Sequence, residues 1–338
     1  MRAAKKNEKE KDMKVLITGG AGFLGSHLAD LLLANGHEVF VLDIAKDFKI
    51  RHNLDNKRFH YIYDSIMNTQ ILESLIFKCD LVYHMAAVVG VEHYVADPYH
   101  VLNVNINGTQ NVLKAAYKLN KKVVFSSTSE VYGKSKDVPF KEDGDRLLGS
   151  TRINRWCYST SKAAGEHFAF AYHKMGLPVV VVRYFNVYGP RLDAIDVGRV
   201  ITIFMGQILR HEDITVIGDG SQTRSFTYVS DTIEATYQAG MKDEAVGGIF
   251  NIGSDRETSI KELAEMMIEV SGARSKIRYV KMNAVYGESY EDIARRVPDI
   301  TRMHKVLGVK AKMGLKDGLK KTIEWFLNNP EICKSPLK

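Results

Sequence analysis

The chain has 338 residues, 45% of them hydrophobic and 26% charged, the proportions of a globular protein of one large or two ordinary domains. These figures exclude a collagen-like, low-complexity or mainly disordered chain, and a core of this size needs no disulfide or metal staple. Residues 1–14 supply +3 of the net charge of +7, so the body is only mildly basic; it suits a phosphorylated small molecule, and no nucleic-acid partner is expected.

Residues 1–12 read as a basic, frayed tail without the apolar stretch of a signal peptide, and the fold starts at Met13. Val15–Ile17 is a short β-branched run that stops at a glycine cluster, as a buried parallel strand does. A helix over Ser26–Asn35 follows, closed by Gly36, and then a strand over Glu38–Leu42. Strands are expected at Leu81–Tyr83, Val123–Phe125 and Val179–Val182, separated by helices over Asn105–Leu119 and Tyr158–Met175. Such alternation means βαβ units and an α/β fold with a parallel sheet, whose ligands gather beyond the strands' C-terminal ends.

The rhythm changes after residue 182. A helix near Ile201–Arg210, a strand at Ile214–Ile217 and the turn Gly218–Gly220 come next. Phe250–Ile252 reads as a strand returning to the main sheet, and Ile260–Ser271 and Leu315–Leu327 as amphipathic helices of a lid. The expected division is discontinuous: residues 13–182 with a return segment at about 229–254, against 183–228 with 255–330. No apolar run approaches the roughly 18 residues of a membrane span, so no membrane partner is expected. Cys79, Cys157 and Cys333 form no CxxC pair; no metal site is expected, and a reducing, cytoplasmic setting fits.

Two motifs carry chemistry. Gly19, Gly22 and Gly25 lie in a loop that leaves the first strand and opens the first helix, where bare backbone N–H groups cradle a pyrophosphate. Asp43 ends the next strand. A carboxylate there accepts hydrogen bonds from a ribose diol and repels a 2′-phosphate, so the cofactor is expected to be NAD. Tyr158 and Lys162 stand at i and i+4, on one helix face. An ammonium beside a phenol favours the phenolate, which makes Tyr158 a base near neutrality. Thr128, at the end of a buried strand, is placed to hydrogen-bond the same hydroxyl that Tyr158 would deprotonate.

With these motifs in view, the sequence resembles the extended short-chain dehydrogenase/reductases that act on nucleotide sugars. The resemblance runs from Met13 to Phe326 through TGGAGFLGSH (18–27), HMAA (84–87), NVNINGT (103–109), SSTSEVYG (126–133), YSTSK (158–162), RYFNVYGPR (183–191) and GDGSQTRSFTYVSD (218–231). It implies a Rossmann-type doubly wound parallel sheet with a smaller C-terminal substrate-binding lid. It also implies that Phe23 and Leu24 touch the cofactor, that Asp64 and Ile66 border the adenine, and that Ala86 and Ala87 line the nicotinamide side. Lys162 would also hold the nicotinamide ribose, Asn186 would meet the sugar or its diphosphate, and Arg199 and Arg224 would grip the diphosphate. A homodimer pairing the helices 105–119 and 158–175 is the implied assembly.

The implied reaction begins with oxidation of a sugar C4 hydroxyl to a 4-keto intermediate, with Tyr158 as base. The block around YSTSK and RYFNVYGPR resembles UDP-hexose or UDP-glucuronate 4-epimerases, so a 4-epimerase of UDP-glucuronate or UDP-glucose/galactose is the first expectation. Glu130 fits it poorly: Thr-Ser-Glu resembles UDP-glucuronate decarboxylases and GDP-mannose dehydratases, and Arg296 matches an arginine the decarboxylases use. Decarboxylase is therefore the alternative, and 4,6-dehydratase the third, since Ser129 stands where dTDP-glucose dehydratases have an acid. Arg296 and Arg152 are candidates for holding a C6 carboxylate. A protein that binds NAD without turnover would have little need of both Tyr158 and Lys162.

Overall fold

The computed structural model describes residues 12–193, 195–196, 198–281 and 293–329. Of the expected basic tail, all but Asp12 lies outside them.

In chain order the first half contains β1 (Lys14–Thr18), α1 (Phe23–Ala34), β2 (Glu38–Asp43), β3 (Phe59–Tyr63), α2 (Thr69–Lys78), β4 (Leu81–His84), α3 (Val91–Ala96), α4 (Pro98–Asn103), α5 (Thr109–Lys118), β5 (Lys122–Thr128), α6 (Arg155–Lys174) and β6 (Val179–Tyr184). The second half contains β7 (Val187–Tyr188), α7 (Val200–Leu209), β8 (Ile214–Ile217), β9 (Thr223–Ser225), β10 (Thr227–Tyr228), α8 (Val229–Met241), β11 (Ile249–Ile252), β12 (Glu257–Ser259), α9 (Ile260–Ser271), β13 (Ile277–Val280), β14 (Arg295–Arg296) and a C-terminal helix, Leu315–Asn328.

Seven strands form one parallel sheet in the order β11-β6-β5-β4-β1-β2-β3. Their apolar runs are covered on both faces, and Val15, Val123, Val179 and Val181 are fully buried. From β1 the chain winds outward to β3, then crosses back to β4 and winds the other way. The reversal between β1 and β4 opens a crevice beyond the C-terminal ends of these strands, where an open α/β sheet binds its ligands. The fold is the Rossmann-type doubly wound sheet expected from the sequence.

Several elements differ from the sequence reading, β3 and the helix over 105–119 among them. β3 was not expected: it is the edge strand, only Phe59 is fully buried, and His60 spends its polarity on Glu38 at 2.9 Å while stacking on Phe40. The single helix expected over 105–119 is α4, a π-helical turn at Val104–Gly108, and α5. Asp97 caps α4 by accepting from His100 N–H at 2.9 Å, with Pro98 in the first turn. The wider turn brings Asn105 inside, where its amide accepts from Val88 N–H at 2.8 Å and donates to Val88 carbonyl O and to Ser161 Oγ, each at 3.1 Å. Asn105 thus ties the loop after β4 to α6.

Beyond β6 the strands are short: β10 pairs with β7, β13 with β8, and β9 lies between β12 and β14. α9 spans the residues expected, closed at its start by a capping box between Ser259 and Glu262. Among the described residues, no helix is long and apolar enough to cross a membrane.

Candidate active site

One cavity of about 730 Å³ lies over the crevice. Every catalytic, cofactor and substrate candidate named from the sequence lines it, except Arg152. Arg152 is exposed and falls outside the cavity, so it is withdrawn as a partner for a sugar carboxylate. The turn 151–154 directs the chain into α6 and leaves Arg152 on the solvent side.

At one end, β1 runs into the glycine loop. Gly19 has φ +76°, and a Cβ there would lie 2.6 Å from Ala86 N. A Cβ on Gly25 would lie 2.3 Å from Gly19 carbonyl O. Only glycines close this turn against the strand β4 exit, and the bare loop leaves its backbone open to an anion at the start of α1. Asp43 is pinned by accepting from Ala21 N–H and Ala45 N–H, each at 2.9 Å. A carboxylate has lone pairs left after two such bonds, so it retains capacity for a diol. Asp64 is held in the same way by Ser65 N–H at 2.7 Å and Asn68 Nδ2 at 2.9 Å, beside the buried Ile66. This end fits a dinucleotide: the cradle is one that side chains would fill, and an acid stands at its far edge.

Above the sheet centre are Tyr158 and Lys162, both buried on α6. Tyr158 is hydrogen-bonded to Thr128 and stacks on Tyr94, with centroids 6.1 Å apart. The charge state differs from the sequence expectation. Burial, reinforced by the Glu130 carboxylate, pushes the Tyr158 phenol up. Burial also pulls the Lys162 ammonium down to about 7, against the opposing pull of Glu166. Desolvation outweighs the mutual help the pair was expected to give. Burial thus favours the neutral form of both groups.

Next to this pair, Glu130 is clamped between Arg296 Nη1 at 2.7 Å and Arg155 Nη2 at 3.2 Å. Burial alone would raise its carboxyl, but the two guanidinium groups, Arg296 first, hold it at about 2. Glu130 is thus a fixed anion, not a proton donor. The cluster has two cations to one anion, so this wall is net positive. Arg296 is brought here by β14, whose register sets it beside Arg224 of β9. Its Nε is buried without a hydrogen-bond partner among the described residues. The strand pair thus presents Arg224 and Arg296 side by side to the cavity.

Arg199 pairs with Asp193 at 2.8 Å, donates to Val187 carbonyl O at 3.2 Å and lies over the Phe23 ring at 5.7 Å. Asn186 donates to Ser225 carbonyl O at 3.0 Å. Lys49 and Tyr94 are among the lining residues that had no place in the sequence argument, and Arg155 was given no role there. Arg155 was within reach, because it precedes Tyr158 by three residues and so shares its helix face. Lys49, whose ammonium burial pulls down beside Asp193, follows a strand in an irregular stretch with no periodic signal.

Comparison with known proteins agrees with this geometry. A family model described as GDP-mannose 4,6 dehydratase matches residues 16–322. A UDP-N-acetyl-alpha-D-glucosaminuronate decarboxylase of Bacillus cytotoxicus is 42% identical over 314 residues, 93% of this chain and 97% of its own. A UDP-glucuronic acid decarboxylase 1 of Arabidopsis thaliana is 36% identical over 324 residues, 94% of this chain and 71% of its own. The crystal structure of a UDP-glucuronic acid 4-epimerase from Bacillus cereus, in complex with UDP-glucuronic acid and NAD, matches with TM-score 0.84 at 32% identity, covering 94% of this chain and 99% of that one.

Sheet, glycine loop and Tyr–Lys pair define an extended short-chain dehydrogenase/reductase. Within that class, the chain belongs to the GDP-mannose 4,6-dehydratase-like family of nucleotide-sugar enzymes.

Proposed function

We propose that the protein is an NAD-dependent decarboxylase of a UDP-hexuronate. The observation that carries this reading is the wall of Arg296, Arg155 and Glu130 beside Tyr158, net positive and lining the cavity. A neutral hexose offers nothing to that charge, whereas a C6 carboxylate does. The wall suits a uronate in either reaction, and relatives that are decarboxylases put decarboxylation ahead of the 4-epimerase expected first from the sequence. A dehydratase of the dTDP-glucose kind lacks its acid here: residue 129 is serine, and Glu130 is held ionised by two arginines.

The cleft residues take these roles. The glycine loop with Phe23 and Leu24 holds the dinucleotide, Asp43 its adenosine ribose, Asp64 and Ile66 its adenine, and Ala86 and Ala87 its nicotinamide end. Bound NAD supplies the hydride acceptor for C4 and returns the hydride at the end of the cycle. Thr128 and Tyr158 hold the 4-hydroxyl. Tyr158 takes its proton, with Lys162 one turn away on the same face of α6. The resulting C4 ketone makes the C6 carboxylate part of a β-keto acid. The C5–C6 bond then breaks, CO2 leaves, and the electron pair is held as an enolate whose oxygen faces Tyr158. A solvent proton adds at C5. Asn186, Arg199 and Arg224 hold the sugar and diphosphate.

The reaction run in D2O tests this: the product carries one deuterium at C5 by proton NMR, where the carboxylate was. A 4-epimerase, the second reading and the activity named for the Bacillus cereus neighbour, yields a product with its carboxylate intact.

Two further expectations follow from the same reading. Asp43→Ala removes the carboxylate that repels a 2′-phosphate, so the preference for NAD over NADP narrows in fluorescence titrations of both; an unchanged preference contradicts the role of Asp43. The chain is also expected to form a homodimer through the helices containing residues 105–119 and 158–175. Light scattering at micromolar concentration reads the dimer mass, and a monomer mass removes the claim. The division into a dinucleotide-binding part, 13–182 with 229–254, and a substrate part formed by the remainder is proposed on the same basis.

A further inference from the structure

Beneath the cavity lies a buried chain of polar groups that the reaction above does not use. It starts at Glu166, one helical turn past Lys162. Glu166 accepts from Ser127 Oγ at 2.5 Å, and its two oxygens take Arg183 Nε at 2.8 Å and Nη2 at 2.6 Å. Arg183 Nη1 donates to Tyr132 Oη at 2.8 Å and to Glu142 carbonyl O at 2.9 Å. Tyr132 Oη donates in turn to Asn251 Oδ1 at 2.7 Å. Asn251 Nδ2 donates to Phe140 carbonyl O at 2.8 Å and to Asp299 carbonyl O at 3.2 Å. Asn251 N–H donates to Glu142 Oε1 at 3.1 Å.

The far end of this chain is the segment that follows Arg296 directly. Phe140 N–H donates to Val297 carbonyl O, and Asp299 N–H donates to Phe140 carbonyl O, each at 2.8 Å. The near end is the helix of Tyr158 and Lys162. Glu166, Arg183, Tyr132 and Asn251 are all buried, and none of them lines the cavity. A buried network with its members satisfied is rigid, because breaking one bond strands a polar group away from water. Asn251 uses its backbone N–H, its Oδ1 and both Nδ2 donors, so its orientation is fixed from two sides.

We infer that Asn251 and Tyr132 are positioning residues that set the register of Arg296 against Tyr158, and so set the selectivity for a carboxylate-bearing sugar. This inference rests on the uronate reading above, and the test separates the two. Asn251→Ala and Tyr132→Phe are each made in the native chain and in the Arg296→Ala chain, and assayed as the full-length, NAD-loaded enzyme. Two constants are read: the KM for UDP-glucuronate, and the Ki of UDP-glucose as a neutral competitive inhibitor.

Asn251→Ala raises the KM roughly tenfold, the size of one weakened hydrogen bond to a charged group, and leaves the Ki within about twofold. The effect disappears in the Arg296→Ala background, as it must if Asn251 acts through Arg296. Tyr132→Phe keeps the ring that stacks on Phe140 at 4.6 Å and deletes only the link, so it moves the KM in the same direction by a smaller factor. If Asn251→Ala does not fold, Tyr132→Phe carries the test alone. Equal rises in KM and Ki, or an undiminished effect without Arg296, overturn the inference. An Arg296→Ala enzyme with unchanged KM for UDP-glucuronate defeats the uronate reading and this inference with it. A raised KM in Arg296→Ala, with Asn251→Ala and Tyr132→Phe both silent, defeats this inference alone.

Discussion

Tyr158→Phe lowers turnover by roughly 10²- to 10⁴-fold, the usual worth of a positioned general base. The substitution keeps the ring and its stacking on Tyr94, and removes only the hydroxyl that Thr128 holds. Sugar-nucleotide binding therefore survives, because Arg199, Arg224 and Arg296 are untouched. Initial rates and calorimetric binding of UDP-glucuronate to the same protein check both halves. Activity within about tenfold of the native enzyme contradicts the role.

Arg296→Ala raises the KM for UDP-glucuronate by roughly 10²-fold, the value of a lost hydrogen bond between two charged groups. The Ki of UDP-glucose moves little, because that sugar presents no charge at C6. The fold tolerates the change, since Glu130 retains Arg155 at 3.2 Å and is not left as an unpaired buried charge. Equal losses on both ligands mean that Arg296 serves the diphosphate or shapes the lid. UDP-glucose and UDP-galactose then become the better pair of substrates.

Much of this site was legible in the sequence because its parts are local. The glycine loop, Asp43 and the Tyr158–Lys162 pair each declare themselves within one βα unit or one helical turn. The apolar strands were legible for the same reason: buried on both faces, they read as continuous runs. β3 was not, because an edge strand half open to solvent carries His60 and two tyrosines in place of such a run. The π-helical turn at Val104–Gly108 left no periodic trace either, although the motif containing it was visible.

What the sequence hid was tertiary. Glu130 stood out as an odd residue, yet nothing local says that Arg296 and Arg155 meet it; that follows from the register of β14 on β9 and from where α6 begins. The burial that acts on Tyr158 and Lys162 was hidden for a related reason. Spacing gives proximity but not burial, and burial dominates both groups. Arg152 shows the converse error, a residue of suitable chemistry that the turn before α6 leaves in solvent.

The central claim is the fate of the C6 carboxylate, and mass spectrometry of the nucleotide sugar tests it most directly. The purified protein with NAD is incubated separately with UDP-glucuronate and with UDP-N-acetylglucosaminuronate, and the product masses are read. The account predicts that at least one of the two loses the mass of CO2 and gains nothing else. A product of unchanged mass with inverted configuration at C4, from both substrates, contradicts it.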